Sequence, residues 1–167
     1  MTYHPKNDNR KAIAVTAVCF VLSIILYTLG QLGLGLRMPL QLCALILLSC
    51  GIMLASRYLL SEYKYTISDI SYKNGTMDLS IIRISGKREV EMAHFDIASI
   101  YAIGRERSLS EFEKAHGRVN KVFNYISNYG TKNSLRFAIS FNGQKVMFVI
   151  EADADFEKEL RARANTL

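Results

Sequence analysis

Two long apolar stretches open the chain, and alternating apolar and polar positions fill most of the remainder. From Ala12 to Leu29, 15 of 18 residues are apolar, and the uncharged run continues to Leu36. From Leu40 to Ala55, 13 of 16 are apolar, with Leu59 and Leu60 just beyond. A helix needs about 20 mostly apolar residues to cross a hydrocarbon core about 30 Å thick, and each run supplies them. Two buried core helices would explain the same pattern, but the rest of the chain is too small to wrap them. A cleaved signal sequence would explain the first run, and Lys6, Arg10 and Lys11 do form a basic start. The apolar stretch, however, exceeds the usual ~7–15 residues, and a second run comes close behind it. Two membrane helices are therefore expected, with Pro39 in the first turn of the second, where its missing N–H does no harm.

From residue 62 to 151 the period changes to two. Residues 63–68 (YKYTIS) alternate, and Asn74-Gly75 signals a tight turn. MDLSIIRIS comes next, then a turn at Ser85-Gly86-Lys87, then REVEM. Residues 95–103 (FDIASIYAI) read as a strand with a bend near Asp96, and residues 121–126 (KVFNYI) as another. In the last hairpin, Leu135, Phe137, Ile139 and Phe141 alternate with Arg136, Ala138 and Ser140, and Asn142-Gly143 turns the chain into KVMFVIEA. Asn-Gly between alternating strands is the strongest short-range hairpin signal. No proline occurs after Pro39 to interrupt these ladders.

Two segments depart from this period. Residues 104–119 are highly charged, with Leu109, Phe112, Ala115 and His116 on one helical face. Ser110 with Glu113 reads as a capping box and Gly117 as a stop, so a short helix or ordered loop over one end of the sheet is expected. At the end, Phe156, Leu160, Ala164 and Leu167 form one stripe behind a cap at Asp153 or Asp155. About seven short antiparallel strands, closed by an amphipathic helix, is the expected arrangement.

Charge refines this picture. Residues 12–36 and 38–56 carry no charge, so all 36 formal charges lie outside those windows. The net charge is +6, of which the first 60 residues hold +4 (5 Lys and Arg, 1 Asp) and residues 61–167 hold +2 (16 against 14). A basic excess at a membrane boundary suits anionic lipids better than nucleic acid, and no nucleic-acid motif is present. Three Lys and Arg precede the first helix, Arg37 alone lies in the connection Gly33–Pro39, and Arg57, Lys64 and Lys73 come after the second. Both termini are thus expected in the cytoplasm of a two-pass protein.

Chemistry is sparse. Cys19, Cys43 and Cys50 all lie in the apolar runs and read as small packing residues. Gly51 and Ala55 make a small-xxx-small step that seats either the first helix or a second copy of the chain. His4, His94 and His116 are too scattered for a metal site. Glu151, Asp153, Asp155 and Glu157 lack the glycine and ligand spacing of a calcium loop. No nucleophile comes with a visible base, so neither an enzyme nor a cofactor is expected.

With Tyr65-Thr66-Ile67-Ser68-Asp69, the IIRISGKREVEM hairpin, the FNG hairpin and IEADADFEKELRARA in these places, the chain resembles membrane-anchored bacterial pleckstrin-homology-like (PH-like) domain proteins over its whole length. The resemblance implies a membrane helical hairpin plus an α+β domain, a seven-stranded, strongly bent antiparallel sheet capped by the C-terminal helix. It divides the chain into an N-terminal tail (1–11), a two-helix hairpin (12–60) and a cytoplasmic PH-like domain (61–167) at a bacterial cell membrane. The basic cluster of eukaryotic phosphoinositide-binding members is not reproduced, because after Lys73 the next basic residue is Arg83. The expected function is a non-enzymatic interaction module that binds a membrane or cytoplasmic protein, or assembles a membrane complex with other chains or copies of itself. Recognition of anionic lipid head groups by Arg57, Lys64, Lys73, Lys87 and Arg88 is the alternative. A role as accessory subunit of a transporter or sensor kinase is a third.

The charge asymmetry makes a topological prediction. A single Cys placed at Gly35 should react with a membrane-impermeant thiol reagent in intact cells, and one placed at Lys145 should not. The reverse labelling pattern sinks this orientation.

Overall fold

The computed structural model describes residues 1–32, 37–68, 77–141 and 143–164. The expected Asn74-Gly75 turn, residues 33–36 of the helix connection, Lys73, Asn142 and Leu167 lie outside the described residues. The chain forms two compact units. One is helical and takes in residues 7–62 with 128–130; the other is the β-domain, residues 1–6, 63–127 and 131–167.

In the helical unit, α1 (Arg10–Gln31) and α2 (Arg37–Tyr58) have 22 residues each, about 33 Å at 1.5 Å per residue. Both are long and apolar enough to cross a membrane. Their contact uses small and polar side chains: Ala12, Thr16, Ser23 and Gly30 are buried on α1, and Ala44 and Gly51 on α2. The Ser23 hydroxyl donates to the Ala44 carbonyl at 2.8 Å. A Cβ on Gly51 would meet Cys19 Cβ and the Phe20 ring at 3.3 Å, so Gly51 seats the first helix. The large apolar side chains, Ile24, Leu42, Leu45 and Met53 among them, point outward. Cys43 and Cys50 also face outward, and all three cysteines are free.

Among the described residues, the β-domain has two four-stranded sheets. The first has the order β1 (Thr2–Tyr3), β2 (Glu62–Ser68), β3 (Asp78–Ser85), β4 (Arg88–Asp96). The second has the order β5 (Ile100–Gly104), β7 (Ser134–Phe141), β8 (Gln144–Glu151), β6 (Lys121–Asn124). This corrects the expectation of one seven-stranded antiparallel sheet. The bend foreseen near Asp96 is a complete break. Asp96 caps a 3₁₀ turn, Ile97–Ser99, by accepting from Ala98 N at 2.9 Å, and the chain crosses there from one sheet to the other. The eighth strand comes from the N-terminus. Met1 and Ile67 exchange backbone bonds of 2.6 and 2.7 Å, and Thr2 and Tyr3 pair with Thr66 and Tyr65. Finally, β6 runs parallel to β8 instead of antiparallel.

The main core lies between the sheets. In β2, Tyr63, Tyr65 and Ile67 point inward at alternate positions, as a half-buried strand requires. They meet Leu79, Ile81, Leu135, Phe137 and Ile150. The fully buried Tyr65 hydroxyl donates to the Tyr125 carbonyl at 2.6 Å and accepts from Glu151 N at 3.3 Å, joining the first sheet to the second. Burial raises the Tyr65 pKa far above its ordinary value, so the hydroxyl keeps its proton.

Helix α3 (Leu109–His116) covers the opposite face of the second sheet, with Phe112 buried among Ala102, Ala138, Met147 and Val149. That is why Phe137, Ala138 and Ile139 are all buried, where the sequence predicted alternation. The N-cap of α3 is Ser108, which accepts from Glu111 N at 3.2 Å, two residues before the expected Ser110. Gly117 ends the helix at φ +90°. Helix α4 (Ala154–Ala164) is capped by Asp153, which accepts from Phe156 N at 2.8 Å. It packs on the 3₁₀ turn and β5. Phe156 reaches the Tyr3 ring at 5.4 Å, and Arg105 holds the start of the helix by donating to the Ala152 carbonyl at 3.1 Å.

Leu160 is fully buried and Lys158 is exposed on the other side of α4. Burying a leucine contributes about 1.5–3 kcal/mol, and an unpaired carboxylate in its place adds several more in penalty. Against a net stability of about 5–15 kcal/mol, Leu160→Asp should make the β-domain protease-sensitive, while Lys158→Gln changes little. Limited proteolysis of the full chain in detergent compares them. Equal resistance would mean that α4 is not packed on the sheets.

Candidate functional site

Of the five basic residues singled out in the sequence, four lie among the described residues. Lys64, on β2, is held by Glu89 of β4 at 2.9 Å, so its charge is already balanced. Lys87 and Arg88 sit at the β3–β4 turn, both exposed, with no ion pair among the described residues. Arg57 belongs to the helical unit, where its guanidinium lies 5.4 Å from the centre of the Tyr58 ring. Lys73 lies outside the described residues.

The β-domain has instead a feature the sequence did not reveal, an apolar cleft of about 400 Å³. It arises from strand register. Phe137 pairs with Phe148 across β7 and β8, and Phe123 pairs with Phe148 across β6 and β8. Three rings therefore form a row, with centroids 5.4 and 5.5 Å apart. Phe95 of β4 approaches Phe148 from the other sheet at 5.0 Å. Phe123 and Phe141, both on the cleft, are 40% and 65% exposed. Single exposed apolar residues are ordinary, but two phenylalanines converging on a concave apolar surface mark a place for an occupant.

One wall of the cleft comes from Ala93–Asp96 of β4. At its rim, His94 Nε2 lies 3.2 Å from Asp78 Oδ2, and Nδ1 lies 2.9 Å from both Glu91 Oε1 and Ser80 Oγ. Ser80 is the register partner of His94. A bulge between the Ile81 and Ile82 pairings leaves Met92 unpaired and re-aims β4 next to this cluster. The hydrogen bond to Glu91, aided by the Asp78 charge, raises the His94 pKa above its ordinary 6.5 despite burial. Hydrogen bonds from Ser80 and His94 lower Glu91 below 4.5. His94 thus stands on a strand and contacts Asp78 and Glu91. No group of three or more His, Cys, Asp or Glu side chains among the described residues is placed to hold a metal ion.

These shifts set a pH dependence. A raised histidine pKa contributes stability that is present at low pH and lost as pH rises through the folded-state value. A depressed carboxylate pKa contributes stability that is lost as pH falls through its folded-state value. The pair should therefore stabilise the domain fully between the ordinary values of 4.5 and 6.5, and lose that contribution on the alkaline side as His94 deprotonates and on the acid side as Glu91 takes up a proton. In urea titrations of the full chain across pH, His94→Gln should flatten the alkaline limb and Glu91→Gln the acid limb. Profiles parallel to the parent in both variants would show that the contact carries no stability.

Comparison with characterised proteins and with solved structures gives no match. The profile of a bacterial PH-like domain family (DUF6106) matches residues 5–166, taking in both apolar helices, strands β2 to β8 and the closing helix. The match covers nearly the whole length, and the chain therefore belongs to the bacterial PH-like domain family.

Proposed function

We propose that this chain is a non-enzymatic interaction module, tethered to the cytoplasmic face of a bacterial membrane by the α1–α2 hairpin, that binds a protein partner or assembles a membrane complex. The observation that carries this reading is the union, in one chain, of two outward-facing apolar helices of 22 residues with a PH-like domain that has an open apolar cleft. Apolar helices of that length can anchor a protein, and an exposed apolar cleft on a folded domain suits a binding partner. Both termini lie in the cytoplasm in this reading, and the connection after α1 lies outside. A role as accessory subunit of a transporter or kinase differs only in the identity of the partner.

Recognition of anionic lipid head groups is the second reading. It rests on Lys87 and Arg88, exposed together at one turn. Each such charge near an anionic surface contributes about 1 kcal/mol, or about fivefold in affinity, and salt screens it.

Chemical crosslinking of the full chain in its native membrane, followed by purification, tests both. A protein recovered in equal yield with the parent and with the Lys87→Ala, Arg88→Ala double variant supports the protein-binding reading. Absence of any crosslinked protein, with salt-sensitive protection of Lys87 from acetylation in nanodiscs containing phosphatidylglycerol, supports the lipid reading and overturns the first.

A further inference from the structure

The cleft has two walls of different kinds and a floor of aromatic rings. Along one wall runs β4, the last strand of the first sheet. Along the other runs β6, the last strand of the second. No described strand pairs with the outer edge of either, so both present backbone N–H and C=O groups beside an apolar surface. The floor is Phe148 with Ile139 and Val146, flanked by the exposed rings of Phe123 and Phe141. On β4, Val90 and Met92 are exposed as well, at 53% and 40%.

The chemistry of this place selects its occupant. A free strand edge requires a hydrogen-bonding backbone, which an acyl chain does not have. The β4 wall is also acidic. Asp96 lines it, and His94 is held between Asp78 of β3 and Glu91, so this rim stays net negative even when His94 carries a proton. An anionic head group is repelled there, while a lysine or arginine is attracted. Apolar side chains at alternate positions of an extended strand fit the rings below.

We infer that the β4–β6 cleft binds an extended peptide segment of a partner protein by strand addition to β4, with apolar side chains on the Phe123–Phe148–Phe141 floor and a lysine or arginine at the Glu91–His94–Asp96 wall. This rests on the protein-binding reading above and gives it a surface and a ligand chemistry. It also accounts for the two large rings left exposed beside the cleft.

Random twelve-residue peptides displayed on phage, selected against the full chain in nanodiscs, supply the probe. The enriched peptides should alternate apolar residues and carry Lys or Arg. Synthetic copies should bind the parent, lose about tenfold in affinity with Phe141→Ser, and lose about threefold with Glu91→Gln. Phe141 is 65% exposed, so its replacement leaves the fold intact, and Lys87→Ala serves as a variant outside the cleft. Bound peptide should slow amide exchange at residues 92–96. No enrichment, binding unaffected by Phe141→Ser, or unprotected β4 amides would overturn the proposal. So would cis-parinaric acid binding abolished by Phe141→Ser without any peptide binding, which would assign the cleft to acyl chains. If Phe141→Ser still yields the crosslinked partner from native membranes, the cleft assignment fails while the interaction-module reading stands. If the parent itself yields none, that reading fails first.

Discussion

Tyr65 joins the two halves of the β-domain. Its ring packs in the core of the first sheet, while its hydroxyl bonds the backbone at Tyr125 and Glu151, just after β6 and at the end of β8. A buried hydroxyl left unpaired would be unfavourable by about 1–3 kcal/mol, so this side chain has a single satisfactory position. Tyr3 stacks on Tyr65 at 6.3 Å and Phe156 lies against the same ring at 6.2 Å. The N-terminal strand and the closing helix therefore both depend on where this one ring sits.

Division into two sheets is what makes a cleft available. A continuous sheet would have placed β4 against β5 and closed the gap. The Asp96-capped turn instead sends the chain to the other sheet and leaves β4 as an edge. At the far side, β6 joins β8 in parallel and becomes a second edge. Natural sheets protect their edges with charge, bulges and short strands, and all three devices occur here. Glu89 and Glu91 lie on β4, the bulge falls at Met92, and β6 has four residues. Such protection discourages indiscriminate pairing while leaving room for a segment of matching charge.

The helical unit obeys a different physical rule. Hydrocarbon gives no gain for burying one apolar side chain against another, so α1 and α2 meet through small residues and one hydroxyl, and their large side chains face outward. The β-domain does the reverse, enclosing most of its large apolar side chains and placing most of its charges outside, with Asp78 and Glu151 as buried exceptions. A single chain thus folds by two rules, and the boundary between them is visible as the point where apolar runs give way to alternation.

Sequence alone determined the features that depend on neighbours a few residues apart. The apolar runs gave the two helices, period-two alternation located the strands, and the stripe with its acidic start located α4 with a cap at Asp153 or Asp155, of which the structure uses Asp153. The cap of α3 falls two residues before the Ser110–Glu113 pair because Ser108 and Ser110 offer the same signal, and only the backbone bond to Glu111 separates them. Tertiary structure decided what depends on distant partners. Thr2 and Tyr3 become a strand only because β2 has an open edge more than 60 residues away. Lys64 loses its free charge to Glu89, 25 residues on. Phe123, Phe137 and Phe148 form one row only once β6 chooses β8 and its register. Periodicity records which face of an element is apolar; which edges remain unpaired, and hence where the cleft opens, is settled only when the sheets assemble.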